Sequence, residues 1–384
     1  MSLVMIGALA FATQLPDHRA ADTLRISLST ADRPLAAVEE LRLGSLEGPE
    51  ETSFGWVGDI AVAADGTMYV PDVQVPAVRI FDATGRYVGD LGREGEGPGE
   101  YQALRGIDVL PDGSVAVWHE MGDVTLFGPD GAFVRRFSLS FLSLAGGPGP
   151  GLVADTAGRV LVRTTTGPPA SNVLAYAWVR ATAGGELVDS IVPPDRDLGG
   201  SPFAFRAETF SAPSPLGYFV VGRTTEYALH RPTSDGRVVT IERTFEPVPI
   251  QGEERAQWDA YIDAVEAARG DDWPAMNDEK PAWKDFSVGY DGRIWVRRYV
   301  EAVHRPEYVS AAARSRAARP NVNWVEPVRY DVVDPRGAYL GTVELPEEGT
   351  LLRARGARVW MLERGDFDEF YVVRYRVEGL AGVD

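Results

Sequence analysis

Two short apolar segments flank a glycine turn in the stretch IAVAADGTMYV at residues 60–70. The same pattern returns as IDVLPDGSVAV at residues 107–117 and as FSVGYDGRIWV at residues 286–296. Weaker copies turn at Gly158, Gly217 and Gly356. Apolar residues on both sides of a short glycine turn are typical of a β-hairpin. Because the hairpin recurs six times, the sequence predicts a fold built by radial repetition.

A second hairpin follows most of the first ones. Residues 78–88 and 124–134 place alternating apolar and polar residues around Gly85 and Gly131, and later versions turn at Gly185, Gly236 and Gly337. Two successive hairpins make one four-stranded antiparallel sheet, which is a propeller blade. The turn glycines of the first hairpins lie 45 to 75 residues apart. The sequence therefore predicts an all-β, six-bladed β-propeller that spans residues 23–384 as a single domain.

The sixth repeat is incomplete, because no second turn glycine follows its strand at residues 370–375. We expect the missing outer strand to come from Glu40-Leu41-Arg42-Leu43 near the N-terminus. Closing the last blade with an early strand removes open sheet edges that would invite aggregation.

The connection after the first blade reads GREGEGPGEY at residues 92–101. Together with the hairpin that follows, it resembles the NHL repeat, and most of all the bacterial secreted six-bladed propellers with a G-x-G-E-G-P-G-E-[FY] loop. The resemblance is good over residues 53–140, partial around the fifth blade and weak elsewhere. It implies binding through one face and no catalytic residues, since that family shares none.

The acidic residues of this loop, Glu94, Glu96 and Glu100, allow two interpretations. Clustered carboxylates can bind Ca²⁺, but the Asp/Asn spacing of a recognised calcium loop is missing. A structural connector whose glycines permit positive φ is the favoured interpretation.

The long connections fall on one predicted face. With the strands of each blade named a to d from the channel outward, the stretched segments are all b–c or d–a connections: residues 92–105, 164–172, 193–207, 251–283 and 299–326. Binding residues concentrate on loops that a rigid scaffold presents. We therefore expect the ligand or partner on the b–c/d–a face.

Two of these connections carry helical patterns, which predicts short helical insertions between blades four and five and within blade five. In residues 251–283, apolar side chains recur with helical spacing at Trp258, Tyr261, Ile262 and Val265. Residues 309–319 are rich in Ala and Arg and end before Pro320. The helices would form a lid over the channel mouth, or cover an apolar patch, or mediate dimerisation.

The residue just past strand b points toward the channel mouth in many propellers. Ionisable side chains occupy or adjoin this position in all six repeats: Asp72, His119, Arg163, Arg223, Arg298 and Glu363. Converging arginines would grip a carboxylate or phosphate group. These six residues are the predicted ligand-binding set, and a solvated polar rim is the alternative.

Composition excludes several classes of partner and chemistry. A net charge of −18 argues against binding to nucleic acid or anionic membranes. Without cysteine there is no disulfide, thiolate nucleophile or zinc–thiolate site. Only Lys280 and Lys284 are lysines among 38 basic residues, which indicates a GC-rich genome or a preference for bidentate anion binding.

Enzyme alternatives stay open but lack a linear motif. Propellers of the lactonase type hold a divalent metal with Glu, Asn and Asp side chains, whereas asparagine here occurs only at positions 172, 277, 321 and 323. No G-x-S-x-G nucleophile elbow is present. A metal-free lyase using Arg, His and Tyr leaves no sequence signature. The prediction is a non-catalytic module, without cofactor or metal, that binds a small polar or anionic ligand or a protein partner.

The N-terminus resembles an export signal. Residues 3–12 form an apolar run that ends in Ala10-Phe11-Ala12, an A-x-A-like cleavage pattern, although a basic n-region is missing. The run is too short for a stable membrane anchor. Residues 1–22 are therefore predicted to be signal-like or disordered. The expected location is the periplasm or the extracellular space, with no integral membrane segment in the mature chain.

Overall fold

In the computed structural model, the glycines at the turns of the repeated hairpins have positive φ, the left-handed backbone conformation. All six first-turn glycines have φ between 59° and 90°, and the five second-turn glycines between 76° and 92°. At the first of them, Gly66 donates its N–H to the Ala63 carbonyl at 3.1 Å, while Ala63 donates to Thr67 at 2.8 Å. A residue with a Cβ is strained at such φ values, so glycine sets where each hairpin reverses.

The structure describes residues 12–14, 23–119, 122–139, 143–144, 150–166, 175–192, 204–233, 235–250, 252–270, 274–310, 313, 320–346, 349–365 and 367–380. The chain divides into two units. Unit 1 holds residues 44–194 with 1–21 and 213–218, and unit 2 holds residues 219–384 with 22–43 and 195–212. That residues 23–384 form a single domain stays a prediction.

Three strands precede the first blade: β1 (Ala12–Gln14), β2 (Thr23–Ser27) and β3 (Pro34–Leu43). A 3₁₀ turn follows at Glu50–Thr52. The first strand lies in unit 1, where it pairs in parallel with the outer strand of the third sheet, and the other two lie in unit 2.

Unit 1 contains the first three blades. The first sheet consists of β4 (Ala61–Val62), β5 (Met68–Asp72), β6 (Ala77–Phe81) and β7 (Tyr87–Leu91). The short strands β8 (Arg93–Glu94) and β9 (Glu100–Tyr101) pair within the loop that follows. The second sheet consists of β10 (Leu104–Val109), β11 (Val115–His119), β12 (Asp123–Phe127) and β13 (Phe133–Ser138). The third contains β14 (Ser143–Leu144), β15 (Leu152–Ala154), β16 (Arg159–Thr166), β17 (Ala175–Thr182) and β18 (Leu187–Val192), with β14 and β15 both pairing with β16.

Unit 2 contains the other three. The fourth sheet consists of β19 (Thr209–Pro213), β20 (Phe219–Arg223), β21 (Ala228–Pro232) and β22 (Val238–Glu242), with β2 as a fifth strand parallel to β22. Next come β23 (Val248–Pro249), the helix α1 (Gly252–Arg269) and β24 (Glu279–Lys280). The fifth sheet consists of β25 (Trp283–Val288), β26 (Ile294–Arg298), β29 (Val328–Val333) and β30 (Tyr339–Leu345), and its b–c connection holds β27 (Val303–His304) and β28 (Trp324–Val325). The sixth consists of β31 (Thr350–Arg355), β32 (Arg358–Arg364), β33 (Phe370–Glu378) and β3.

The N-terminal strand β3 completes the sixth sheet. It runs antiparallel to β33 from Ala36 opposite Glu378 to Leu43 opposite Val372, as residues 40–43 predict. Its first two residues also pair in parallel with β30 of the fifth sheet. Six sheets thus follow one another along the chain, and the fold is a six-bladed β-propeller.

The helix α1 forms the insertion predicted between the fourth and fifth blades. Its apolar face buries Tyr261, Ile262 and Val265, which pack with Phe205, Ile250, Met276 and other residues of unit 2. Gly270 ends the helix with φ of 72° and donates its N–H to the Glu266 carbonyl at 2.7 Å. The second predicted helix, at residues 309–319, lies outside the described residues except for 309, 310 and 313.

The GREGEGPGEY loop is held by its own hydrogen bonds. The Glu100 carboxylate accepts from Arg93 Nε at 2.7 Å and from the Gly97 N–H at 2.8 Å. Gly92 has φ of 69°, and a Cβ there would lie 2.6 Å from the Gly99 carbonyl oxygen. Tyr101 is fully buried, and its hydroxyl donates to the Leu91 carbonyl at 2.5 Å. These contacts favour the structural connector over the calcium loop.

We expect Tyr101→Phe to lower the free energy of unfolding by about 1–3 kcal/mol, because it leaves buried backbone groups without their partner. Besides donating to Leu91, the hydroxyl accepts the Val78 N–H at 2.9 Å. Tyr69→Phe is the matched control, since the half-buried Tyr69 hydroxyl bonds to no described residue. Urea denaturation of both variants measures the difference, and equal stabilities would show that the hydroxyl contributes nothing.

Candidate functional site

A buried carboxylate anchors a charged group in unit 2. Asp331 lies on strand β29 and is not exposed to solvent. Its Oδ2 accepts from the Tyr227 hydroxyl at 2.8 Å and from Arg243 Nη1 at 2.5 Å. Its Oδ1 accepts from Thr342 Oγ1 at 2.6 Å. An ionised carboxylate is stable in such a place only when donors replace its water shell, and here three donors do so.

Two arginines share a second carboxylate, Asp32. Arg243 Nη2 donates to Asp32 Oδ1 at 2.6 Å, and Arg298 Nη1 donates to the same oxygen at 3.0 Å. Burial alone would raise the pKa of Asp32, but the hydrogen bonds from both arginines outweigh it and hold the pKa below its usual value. Burial likewise opposes the charge of Arg243, yet Asp331 and Asp32 raise its pKa. Both guanidinium groups are therefore held against the same Asp32 carboxylate.

These groups line a cavity of about 820 Å³, which we name the Arg298 cleft. Its walls come from the link after β22, the b–c connection of the fifth blade and the link between β2 and β3; they include Asp32, Arg243, Phe245, Arg298, Tyr299 and Glu301. Ligand pockets for small molecules usually have volumes of about 300–1,000 Å³. By topology the Arg298 cleft opens at the ends of strands b and d, which is the face where the long connections lie.

Beside the cleft, Lys280 joins helix α1 to the b–c connection. Its side chain is fully buried, and Nζ donates to Glu326 Oε1 at 2.6 Å and to the Val300 carbonyl at 3.1 Å. It also forms an ion pair with Glu254 Oε1 at 2.7 Å. The Phe205 ring covers it with its centroid at 4.9 Å. Burial raises the pKa of Glu326, although Lys280 counteracts it. This contact fixes one wall of a smaller cavity of about 490 Å³ that shares Phe245, Pro281 and Ala282 with the cleft.

Three of the six predicted ligand residues lie in unit 1. Asp72 is fully buried and accepts from four backbone N–H groups, those of Gly55, Trp56, Gln74 and Val75. His119 is fully buried and lies 2.8 Å from Thr125 Oγ1 through Nε2. Arg163 lies on β16, opposite Trp178 of β17. The contact of His119 with Thr125 joins β11 to β12 within the second sheet.

The other three lie in unit 2. Arg298 lines the Arg298 cleft. Arg223 ends β20 and is half-buried. Glu363 accepts from Arg42 Nη2 at 2.9 Å and from the Tyr375 hydroxyl at 2.6 Å, a contact that ties β32 to β33 and β3. Of these three, only Arg298 is among the cleft residues, so the structure does not gather them at one site.

Asp32, Arg243 and Asp331 were not predicted from the sequence. Asp331 had a weak signal, because it is an acidic residue directly before the apolar pair Val332-Val333 in the stretch Val328–Val333. Asp32 lies between two strands in a polar link and carries no such signal. Its contact with Arg298 joins residues that are 266 positions apart.

The part of the chain that the structure describes has neither a cluster of metal-binding side chains nor a membrane-spanning helix. No group of three or more His, Asp or Glu side chains there is arranged to hold a metal ion. No helix among these residues is long and apolar enough to cross a membrane.

His119 makes stability depend on pH. Burial lowers its pKa to about 4 from an ordinary 6.5, and the positive charge of Arg136 adds to the effect. Between these two pKa values, His119 is protonated in the unfolded chain but not in the folded protein. The free energy of unfolding therefore falls as the pH drops from about 6.5 to 4. At about 1.4 kcal/mol for each pKa unit, the loss is about 3 kcal/mol at most.

We expect His119→Gln to lose less stability than the parent protein between pH 7 and pH 4, because glutamine takes up no proton. Free energies of unfolding from urea titrations at several pH values measure this. His304→Gln, which removes an exposed histidine, serves as the control and should follow the parent curve. Parallel curves for His119→Gln and the parent would contradict the assignment.

Comparison with known proteins agrees with this fold. A family model described as a 6-bladed beta-propeller matches residues 36–141. A solved structure of a DUF4221 family member from Bacteroides vulgatus is similar with a TM-score of 0.54 at 11% identity, over 91% of this chain and 99% of that one. A candidate exported protein from Bacteroides fragilis (TM-score 0.47, 11% identity, 93% and 99% covered) and a streptogramin B lyase (0.41, 11%, 88% and 98%) are more distant. No curated protein matches the sequence significantly. At this level of identity the likeness shows the propeller fold alone.

Proposed function

We propose that this protein is an exported, non-catalytic propeller that binds a small anionic ligand in the Arg298 cleft. The observation that carries the proposal is the pair of guanidinium groups, Arg243 and Arg298, held in place at the wall of a cavity of about 820 Å³. Preorganised charged donors in a concave site are what recognition of carboxylates and phosphates requires.

Arg298 is the residue that would contact the ligand directly. A guanidinium carries five N–H donors in a planar fork. Of these, Nη1 donates to Asp32 at 3.0 Å and Nη2 reaches the other Asp32 oxygen only at 3.5 Å. Arg243 has less capacity left for a ligand than Arg298, since its Nη1 and Nη2 already bind two different carboxylates, Asp331 and Asp32. A ligand carboxylate or phosphate would therefore pair with Arg298, while Arg243 fixes the geometry behind it.

Asp32 competes with such a ligand. Its side chain is 45% exposed and belongs to the link between β2 and β3, so it can leave the arginines without unfolding a strand. It places a carboxylate where the ligand carboxylate would bind. Binding then exchanges one anion for another, which favours ligands with more than one anionic group.

Other parts of the proposal rest on the sequence. The apolar run at residues 3–12 with its A-x-A-like end supports export to the periplasm or beyond. The GREGEGPGEY loop supports placing the chain among the NHL-like propellers that carry it. A protein partner on the b–c/d–a face, in place of a small ligand, is the outcome to consider if no small anion binds.

We expect citrate to bind the purified protein, and Arg298→Ala to weaken that binding by roughly tenfold or more, since a charge-assisted bond contributes about 1.5–3 kcal/mol. Asp32→Asn should strengthen binding several-fold, because the internal competitor loses its charge. Isothermal titration calorimetry with citrate, succinate and inorganic phosphate measures all three proteins.

Arg336→Ala is the matched control for charge. It removes an exposed arginine from the c–d turn of the same blade, on the face opposite to the cleft, and should leave the affinity unchanged. If none of the three anions binds, or if Arg298→Ala and Arg336→Ala behave alike, the Arg298 cleft is not the ligand site.

A further inference from the structure

Two arginines of the fifth blade face each other at the wall of the Arg298 cleft. Arg298 on β26 lies directly opposite Arg329 on β29, and both residues line the cleft. Side chains at directly opposite positions of an antiparallel pair lie on the same face of the sheet, with their Cβ atoms about 4.5–5.5 Å apart. Like charges in such a pair are destabilising. Because carboxylates bound by the two guanidinium groups would offset this repulsion, the arrangement favours a ligand with two carboxylates.

Arg329 has hydrogen-bond donors left for a ligand. Its Nε donates to Glu344 Oε2 at 3.0 Å, and Glu344 is the residue opposite it on β30. The side chains are 39% exposed for Arg329 and 58% exposed for Glu344, so this ion pair contributes little to stability. The terminal nitrogens Nη1 and Nη2 of Arg329 bond to no described residue. The Arg298 cleft therefore has a second guanidinium group that a ligand carboxylate can bind.

Two glutamates of the same cleft have no ion-pair partner. Glu301 lies in the b–c connection of the fifth blade, and Glu246 lies in the link after β22. Both residues are exposed, and neither forms a hydrogen bond or an ion pair with any described residue. The arginines lie deeper, since the side chains of Arg243 and Arg298 are only 3% and 19% exposed. The cleft is thus positive in its interior and negative where it opens.

This charge distribution favours a ligand that carries charges of both signs. A ligand that is anionic throughout is attracted by the interior arginines but repelled by Glu246 and Glu301 at the opening. An ammonium group beside the ligand carboxylates would instead donate charge-assisted hydrogen bonds to these glutamates. The cavity of about 820 Å³ has room for a small molecule that carries all three groups.

We propose that the ligand of the Arg298 cleft is an acidic amino acid. Arg298 and Arg329 bind its two carboxylates, and Glu301 and Glu246 bind its ammonium group. The assignment rests on the proposed function, because it names the ligand class for the same site and keeps the role of Arg298. Binding makes and breaks no covalent bond.

L-aspartate and succinate are the probes, because both have the same carbon skeleton with two carboxylates and they differ only in the ammonium group of aspartate. Isothermal titration calorimetry of the full chain at low ionic strength, where charge pairs are least screened, compares their affinities. We expect L-aspartate to bind several-fold more tightly than succinate. Glu301→Gln should remove most of this preference, while succinate binds at least as tightly as to the parent protein.

Glu307→Gln is the matched control for Glu301→Gln. It removes an exposed carboxylate from the same b–c connection, at a residue that does not line the cleft, and should leave the preference for L-aspartate unchanged.

Arg329 is tested by a separate pair of variants. Arg329→Gln should weaken the binding of succinate and L-aspartate several-fold, because the second carboxylate loses its partner, and should change the binding of propionate little. Glu344→Gln removes the ion-pair partner of Arg329 but keeps the guanidinium group, so it should leave all three affinities unchanged or higher. If Glu344→Gln weakened binding as much as Arg329→Gln does, Arg329 would have only a structural role and would be removed from the site.

Three outcomes distinguish an acidic amino acid from a plain anion in the cleft. If succinate binds in an Arg298-dependent way and L-aspartate binds no more tightly, the acidic amino acid is ruled out and the proposed function stands. An equal preference for L-aspartate in the parent protein, in Glu301→Gln and in Glu246→Gln would also rule it out. If neither probe binds, the assignment fails as well, and citrate and phosphate then decide whether the proposed function stands.

Discussion

The pairing of β3 with β33 is the interaction on which unit 2 depends. It gives the sixth sheet its fourth strand, and through Pro34 and Leu35 it also joins the fifth sheet. Glu40 reinforces this register by accepting a hydrogen bond from Arg358 Nε on β32 at 2.8 Å and by forming an ion pair with Arg374 on β33 at 3.1 Å. Because β3 begins at Pro34, its register also decides where Asp32 lies. A slip by one residue would reverse the faces of β3 and displace Asp32 from its arginines.

The charged group around Asp331 shows how a propeller can hold polar side chains in an apolar sheet. Removing a carboxylate from water is costly, and only a full set of donors offsets that cost. Tyr227, Thr342 and Arg243 donate hydrogen bonds to Asp331. The other terminal nitrogen of Arg243 donates to Asp32 and to the Thr30 carbonyl. The group is therefore rigid at its buried end and adjustable at Asp32, its exposed end. A ligand site needs both properties, one for orientation and the other for exchange.

Much of the fold could be predicted from local sequence patterns, whereas the candidate site could be predicted only in part. Turn glycines such as Gly66 and Gly113 mark hairpins because positive φ is a property of one residue. The apolar spacing of Tyr261 and Val265 marks α1 for the same local reason. Arg298 was found by its place at the end of a strand, but the same rule also selected Asp72, which binds four backbone N–H groups. A position at the end of a strand does not tell whether a side chain turns toward solvent or caps its own loop.

By itself, the sequence of this protein determined the all-β class, the six repeats, the strand near residues 40–43 and the helix in the fourth connection. Each of these follows from hydrophobic periodicity and from glycine, which act over a few residues. The tertiary structure decided which charges meet: Asp32 with Arg243 and Arg298, Lys280 with Glu254 and Glu326, and no ion-pair partner for Lys284 among the described residues. Those contacts join positions far apart in the chain, and electrostatic pairing in a low-dielectric interior depends on distance and burial that only the folded chain defines.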